Sequence, residues 1–244
     1  MKFRTLLGIL TALAGFSGSA GSIGPVDVSV EAAVMSKDLW RGIALNEDPV
    51  FQPSVTLGIG GASLNIWGNM DFTSYQDKKR HFTETDFTLD YTLEFPLLSL
   101  SAGALRYQYA DIAGYIPTTE LYVGAESGVP GGPSLKIYQD VDKGRGTYIE
   151  AGAKQSFPVA PFAGLEVSAS LGWGSAMHNR FNYDIPGMKS ALTDFSLGAG
   201  LPIGLGKILS VTPSIQWVSC INSEMRKVFD KNIVAYGLTA SAEF

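Results

Sequence analysis

Apolar and polar residues alternate along most of this chain. In the stretch ETDFTLDYTLEF, Glu84 to Phe95, the odd-numbered positions carry Thr85 and then a run of large apolar side chains, and the even-numbered positions carry acids or threonine. A period of two over this length is the pattern of a β-strand with one apolar and one polar face. A helix of the same sequence would scatter its acids around the whole circumference, so the pattern favours a strand.

The same alternation recurs from near Val28 to the last residue. It is clear over residues 147–157, 164–175 and 233–244, and further runs start near Val28, Val50, Ala62, Leu98, Thr118, Ser134, Ser190 and Ile208. Together these segments predict about twelve strands of about ten residues each. That length allows a tilted strand to cross a lipid bilayer.

The segments between the predicted strands are alternately short and long. Short turns rich in Gly and Pro lie at residues 58–61, 95–98, 128–133, 157–164 and 201–206; longer polar segments lie at 37–49, 73–83, 111–117, 177–189 and 221–231. Outer-membrane barrels have short periplasmic turns and longer external loops. The sequence therefore predicts an all-β fold, a transmembrane antiparallel β-barrel of about 12 strands. A soluble periplasmic β-sandwich would also alternate, but it would use fewer and shorter strands.

The start of the chain has the features of a secretory signal. Lys2 and Arg4 precede the apolar run Leu6 to Phe16, and small residues stand before a predicted cleavage near Ala20. The apolar run is too short to cross ~30 Å of hydrocarbon as a helix. We therefore expect a signal peptide at residues 1–20, a barrel at residues 21–244, and a location in the bacterial cell outer membrane.

Composition narrows the choice of fold and partner. Hydrophobic residues make up 45% of the chain and charged residues only 17%, whereas globular domains carry about 25% charged residues. The net charge of −5 argues against nucleic acid as a partner, and the single cysteine, Cys220, excludes an intramolecular disulfide framework.

Aromatic residues near strand ends, among them Tyr107, Tyr122 and Tyr236, suggest girdles at the two membrane interfaces.

The stretch IYQDVDKGRGTYIEAG, Ile137 to Gly152, concentrates charged residues and glycines. It fails as an EF-hand loop, because Arg145 stands where the sharp turn needs Gly and Ala151 where a bidentate Glu is needed. As part of a barrel it places Asp140 and Asp142 on the lumen side. The segment KGRG then forms an external tip with glycines at positive φ, and its Lys143 and Arg145 face either anionic lipid headgroups or solvent.

Catalytic and cofactor motifs are weak in this chain. A remote alternative is a lipid hydrolase at the outer rim, with His178 as base and either Ser175 or a neighbouring strand serine as nucleophile. The segment GIGG, Gly58 to Gly61, lacks the following helix that a phosphate-binding loop needs. We expect no enzyme activity, no cofactor and no metal site.

Four blocks of the sequence resemble a known family. They are SKDLWRGIALNEDPVFQPSVTLGI, LNIWGNMDF, DFTLDYTLEF and SLKIYQDVDKGRGTYIEAGAKQSF, which together extend from Ser36 to Phe157. They are similar to blocks of the TorF-like porins, also described as the uncharacterised Gcw_chp outer-membrane family. The resemblance implies an outer-membrane barrel of porin type, and it brings no substrate and no catalytic residue.

Strand parity assigns a set of charged residues to the lumen: Glu31, Asp86, Asp90, Glu120, Lys136, Asp140, Glu150, Lys154, Glu166 and Asp194. A lumen rich in carboxylates concentrates cations. The sequence therefore predicts a passive channel for small polar or cationic solutes. The alternative is a closed structural or adhesive barrel, sealed by Lys136–Asp140 and Glu150–Lys154 pairs. Expected partners are outer-membrane lipid, the solutes themselves, and the barrel assembly machinery through the strand that ends at Phe244.

Overall fold

The computed structural model describes residues 22–23, 26–76, 79–110 and 114–244, and the predicted signal peptide lies outside them. Twelve antiparallel strands form one closed barrel. They are β1 (Val26–Met35), β2 (Val50–Ile59), β3 (Ala62–Asp71), β4 (Phe82–Phe95), β5 (Leu98–Tyr109), β6 (Thr118–Ser127), β7 (Ser134–Asp140), β8 (Thr147–Ala160), β9 (Ala163–Gly174), β10 (Ala191–Gly200), β11 (Leu209–Cys220) and β12 (Asn232–Glu243).

Closure takes place at β1. Each strand pairs with its neighbours in sequence, and β1 pairs with both β2 and β12, so that Met35 lies opposite Val50 on one side and Gly237 on the other. The backbones of Val28 and Phe244 exchange two further hydrogen bonds beyond the end of β12. A closed sheet has no free edge, and the prediction of a twelve-stranded barrel is confirmed.

The two ends of the barrel differ in their connections. At the short-turn end the strands are joined by residues 60–61, 96–97, 128–133, 161–162 and 201–208. At the long-loop end they are joined by residues 36–49, 72–81, 110–117, 141–146, 175–190 and 221–231. The long loops contain the paired strands Asp38–Trp40 and Ile43–Asn46, the helix α1 (Ala176–Asn182) and a 3-10 turn at Met225–Lys227. This asymmetry confirms the predicted alternation of short turns and long loops.

The barrel is apolar outside and polar inside. Along β4, Phe87, Leu89 and Tyr91 are 42%, 60% and 53% exposed, whereas Thr83 and Glu84 at the start of the strand are buried. A water-soluble domain has the opposite arrangement. A continuous outer belt of Leu, Val, Ile and Phe is stable only when lipid covers it. No helix among the described residues is long and apolar enough to span a membrane.

Part of the predicted aromatic girdle is wrong. Tyr107 and Tyr122 are only 3% and 5% exposed, because both point into the barrel, whereas Tyr236 lies on the outer face at 64% exposure. Aromatic residues favour strands whichever face they occupy. Nearness to a strand end therefore did not separate interfacial from interior tyrosines.

Candidate functional site

The first long loop folds back into the mouth of the barrel. Its strands Asp38–Trp40 and Ile43–Asn46 form a small antiparallel pair with Arg41 and Gly42 at the tip, and we call residues 38–46 the inserted hairpin. Arg41 and Gly42 have φ angles of 39° and 92°, in the left-handed region that a tight hairpin turn requires. At Gly42 a Cβ atom would come within 2.5 Å of the Asp194 Cβ. Glycine at the tip therefore lets the hairpin backbone lie directly against β10.

The Arg41 side chain is fully enclosed by the barrel wall. Its Nη1 and Nη2 donate to the two carboxylate oxygens of Glu120 on β6 at 2.8 and 2.6 Å, and the Tyr107 hydroxyl donates to Glu120 Oε2 at 3.1 Å. The guanidinium lies 4.2 Å from the ring centre of Tyr148 and 4.9 Å from that of Tyr138. Bidentate pairing to a carboxylate and stacking on aromatic faces are the two interactions that distinguish Arg from Lys. We call Glu120, Tyr107, Tyr138 and Tyr148 the guanidinium cage.

Two of the cage tyrosines belong to a ladder that crosses three strands. Tyr122, Tyr138 and Tyr148 lie directly opposite one another on β6, β7 and β8, with ring centres 5.6 and 6.3 Å apart. On the flanks, Gly103 of β5 lies opposite Tyr122 and Gly174 of β9 lies opposite Tyr148. The Tyr122 ring occupies the space that a side chain at Gly103 would need. The ladder gives this wall of the lumen a rigid aromatic surface.

An apolar cluster covers the inserted hairpin at the long-loop end. Ile43 of the hairpin packs with residues of the two last long loops and the end of β11, and the buried members are Ile43, Tyr183, Ile185, Met188, Cys220 and Met225. The Tyr183 hydroxyl also donates to the backbone carbonyl of Arg41 at 2.9 Å. The hairpin is therefore held by the barrel wall below it and by two loops above it.

The opposite flank of the hairpin rests on a polar network. Gln52 Nε2 on β2 donates to Asp38 Oδ1 and to Asn69 Oδ1, both at 3.1 Å. Asn69 in turn donates to Asp71 Oδ1 at 3.0 Å. Burial, and then the nearby Asp71 carboxylate, raise the pKa of Asp38 to about 7 in spite of the Gln52 hydrogen bond.

The structure places the sequence-predicted lumen residues on the interior side of the wall. Five of them are buried: Glu120, Lys136, Asp140, Glu166 and Asp194. The other five are partly exposed toward the lumen or the short-turn end: Glu31, Asp86, Asp90, Glu150 and Lys154. Only Glu120 belongs to the guanidinium cage, and Asp194 lies next to it behind Gly42. The role of the whole set in solute passage stays a prediction.

The two ion pairs suggested for a sealed barrel do not fit the strand geometry. Lys136 and Asp140 lie four residues apart on one strand, as do Glu150 and Lys154, and four residues span about 13 Å. Contacts form across strands: Lys154 Nζ lies 3.5 Å from Glu166 Oε2 on β9, and Asp140 accepts a hydrogen bond from Thr118 at 2.7 Å. Charged side chains in a sheet pair with residues on the adjacent strands. The alternation along a single strand shows which face a residue lies on, but not which residue lies opposite it.

The KGRG tip differs in detail from its prediction. Lys143 and Arg145 are exposed at the long-loop end, as expected, but the positive φ of 50° belongs to Arg145 and not to either glycine. A side chain at Gly146 would collide with the backbone of His178, so this glycine is required by close packing. Asp142 does not face the lumen; it pairs with Arg106 Nη1 at 3.1 Å on the outer rim.

The hydrolase residues have structural roles. The Ser175 Oγ caps α1, where it accepts from the backbone N–H of His178 at 3.3 Å and of Thr147 at 2.9 Å. The His178 ring is buried and lies against Trp40 and Tyr148, with centroid distances of 6.0 and 5.1 Å. Burial, and then Arg41, lower the pKa of His178 well below its usual range. A neutral imidazole enclosed by aromatic rings does not reach a lipid at the rim, and the geometry does not favour the hydrolase.

Sequence reasoning missed Arg41, the central residue of the site. It lies in LWRGI, inside the segment that was predicted only as a polar external loop. One signal was present: an Arg–Gly pair flanked by Trp40 and Ile43 gives the middle of that loop an apolar character that a solvated loop does not need. Among the described residues, no group of three or more His, Cys, Asp or Glu side chains could hold a metal ion.

Comparison with known proteins supports the fold. No family model and no curated protein sequence matches the chain, so the resemblance to the TorF-like porins gains no support from these comparisons. Among solved structures, the chain is similar to the KdgM porin in complex with disordered oligogalacturonate, with a TM-score of 0.56, 8% identity, and coverage of 89% of this chain and 99% of that one.

Two further structures show the same likeness. The NanC porin gives a TM-score of 0.55 at 8% identity and covers 88% of this chain and 98% of its own. An outer membrane channel from Pseudomonas putida F1 gives 0.52 at 12% identity and covers 95% and 100%. At these identities the likeness concerns the fold alone. It agrees with the apolar outer belt: this chain has the fold of a twelve-stranded barrel of the outer-membrane type.

Proposed function

We propose that the protein is a narrow outer-membrane channel for small polar or cationic solutes, and that the inserted hairpin holds it in a closed conformation. The observation that carries the proposal is the position of the inserted hairpin, whose Arg41 side chain reaches Glu120 on the inner face of the wall. The hairpin belongs to the loop that joins Met35 to Val50, and side-chain contacts, not the strand pairing of the barrel wall, hold it in the mouth. The hairpin can leave without breaking a single wall-to-wall backbone hydrogen bond.

The chemistry of the wall supports solute passage. Beneath the hairpin the lumen carries more carboxylates than cations, with Asp90, Glu150 and Glu166 among the acids. A small pocket of about 10 Å³, room for roughly one water molecule, lies among Thr92, Ser101 and Lys136 on the short-turn side. Acidic walls favour cations once the hairpin is out.

Planar-bilayer recording tests the proposal. The wild-type protein in asymmetric KCl should show rare openings of low conductance, with a reversal potential that indicates K⁺ in preference to Cl⁻. Anion selectivity would contradict the charge argument. The absence of conductance under all voltages, in both the wild type and a variant lacking residues 38–46, would contradict the channel.

A closed structural barrel is the second candidate, and the enclosed Arg41 side chain favours it. In that case the hairpin never leaves, and liposomes that contain the protein should take up no small sugar or amino acid in a swelling assay. The same result for the variant lacking residues 38–46 would establish the structural role.

The remaining partner proposals follow from the barrel itself. The long-loop end faces outward by the general rule for outer-membrane barrels, so Lys143 and Arg145 meet the external leaflet of a bacterial outer membrane. The final strand, which ends near Phe244, is the segment offered to the assembly machinery. Membership in the TorF-like porin family rests on the four sequence blocks alone.

A further inference from the structure

The guanidinium cage has the composition of a ligand site, and a residue of the protein fills it. Glu120 offers two carboxylate oxygens in one plane, Tyr107 orients that carboxylate, and Tyr138 and Tyr148 present ring faces within 4.9 Å of the guanidinium carbon. All four wall residues are buried. These four groups come from the wall, on β5 to β8, whereas the inserted hairpin contributes Arg41 itself and the Trp40 ring, 4.7 Å from the guanidinium carbon.

Removal of the hairpin would leave the cage in an unfavourable state. Glu120 would lose both of its ionic hydrogen bonds and keep only the one from Tyr107, and removing one partner of a buried ion pair is destabilising. Water replaces a planar bidentate partner poorly at such a site. A free cation with the same shape as the Arg41 side chain would restore the interactions.

We infer that the guanidinium cage is a binding site for solutes that carry a guanidinium group, and that Arg41 occupies it as an internal ligand in the closed conformation. The inference rests on the proposed channel function, because it names the class of solute that the channel selects. Binding of such a solute and insertion of the hairpin exclude each other. The solute therefore stabilises the open conformation by mass action.

The choice of a guanidinium over an ammonium follows from the geometry. The two Nη–Oε distances of 2.8 and 2.6 Å show bidentate pairing of a planar guanidinium with a carboxylate. An ammonium group is a point charge and does not reproduce this geometry. The guanidinium carbon also lies 4.2 Å from the ring centre of Tyr148, a contact that a planar guanidinium strengthens by stacking. Lys136, by comparison, places its Nζ 4.9 Å from the ring centre of Tyr122, deeper in the barrel.

The experiment uses the Arg41→Ala variant, in which the missing atoms correspond to ethylguanidinium. Thermal unfolding of the purified variant in detergent micelles is followed at fixed NaCl while ethylguanidinium or propylammonium is added. Ethylguanidinium should raise the unfolding temperature at a concentration at least about tenfold below that needed for propylammonium. The wild type, in which the site is filled, and the double variant Arg41→Ala, Glu120→Gln should show no such preference.

Equal effects of the two cations on Arg41→Ala, or no effect of either, would overturn the inference. If Arg41→Ala does not fold, calorimetric titration of ethylguanidinium into the variant lacking residues 38–46 decides the question, since it keeps Glu120, Tyr138 and Tyr148. Binding of ethylguanidinium without any ion conductance would contradict the proposed channel function but support the binding site. Ion conductance without preferential binding of ethylguanidinium would contradict the binding site but support the proposed channel function.

Discussion

At the scale of single residues, Asp38 makes the packing of the hairpin depend on pH. Its carboxyl group is buried next to Asp71, and that environment raises its pKa to about 7 from an ordinary value of 3.8. When the hairpin leaves the lumen, Asp38 becomes solvated and its pKa returns to the ordinary value. Between these two values the packed form keeps a proton that the released form loses. The packed hairpin is therefore most stable at low pH and loses that stability as the pH rises through the window.

We expect the fraction of time spent open to increase from pH 4.5 to pH 7.5, by at most about tenfold per pH unit. Bilayer recording at constant ionic strength measures it. The carboxyl groups of Asp71, Glu84 and Asp86 also face this region, so the control is a substitution. Asp38→Asn should flatten the profile, whereas Asp48→Asn, in the same loop, should leave its slope unchanged. A slope that survives in Asp38→Asn would assign the effect to another group.

At the scale of elements, the hairpin depends on its glycine tip. Gly42→Ala adds a Cβ at a φ of 92° and within 2.5 Å of the Asp194 Cβ, so both backbone strain and contact oppose insertion. We expect this variant to open more often than the wild type, while the variant lacking residues 38–46 stays open. The deletion leaves five residues between Met35 and Val50, enough to close the β1–β2 hairpin.

Gly60→Ala is the matched control for that experiment. Gly60 also has a positive φ, of 61°, but it lies in a short turn, where an added Cβ would meet nothing within 4 Å. Its conductance should equal that of the wild type. Equal conductance of Gly42→Ala and Gly60→Ala would show that neither the backbone strain nor the contact with Asp194 at Gly42 governs insertion of the hairpin.

The elements also show what the sequence can and cannot predict. Strands such as Glu84–Phe95 could be predicted from the sequence because each strand has one face in lipid and one in the lumen. Apolar and polar residues therefore alternate along it. The insertion of the hairpin could not be predicted, since its partners Glu120, Tyr138 and Tyr148 are about 80 to 110 residues away along the chain. Parity gave the face of Glu120, but no local pattern indicates that Arg41 returns to meet it.

At the scale of the whole molecule, the barrel has apolar residues outside and polar residues inside, so its stability depends on the surrounding lipid. Leu89 lies on the outer face near the middle of β4, directly opposite Leu64 and Ala104, and is 60% exposed. Leu97 lies in the short turn that follows the same strand and is 63% exposed. The two residues are of the same type and have nearly the same exposure, but they differ in depth within the membrane.

Depth in the bilayer predicts a large difference between the two leucines in their tolerance of charge. Leu89→Lys should lower the free energy of unfolding from lipid vesicles by about 2–4 kcal/mol, because the ammonium group would stand near the hydrocarbon midplane, whereas Leu97→Lys should cost about 0–1 kcal/mol. Reversible denaturant unfolding in vesicles measures both. Equal costs would mean that the apolar belt is not seated in lipid as the barrel requires. A larger cost at Leu97 would place the membrane nearer to the short-turn end than the strand lengths indicate.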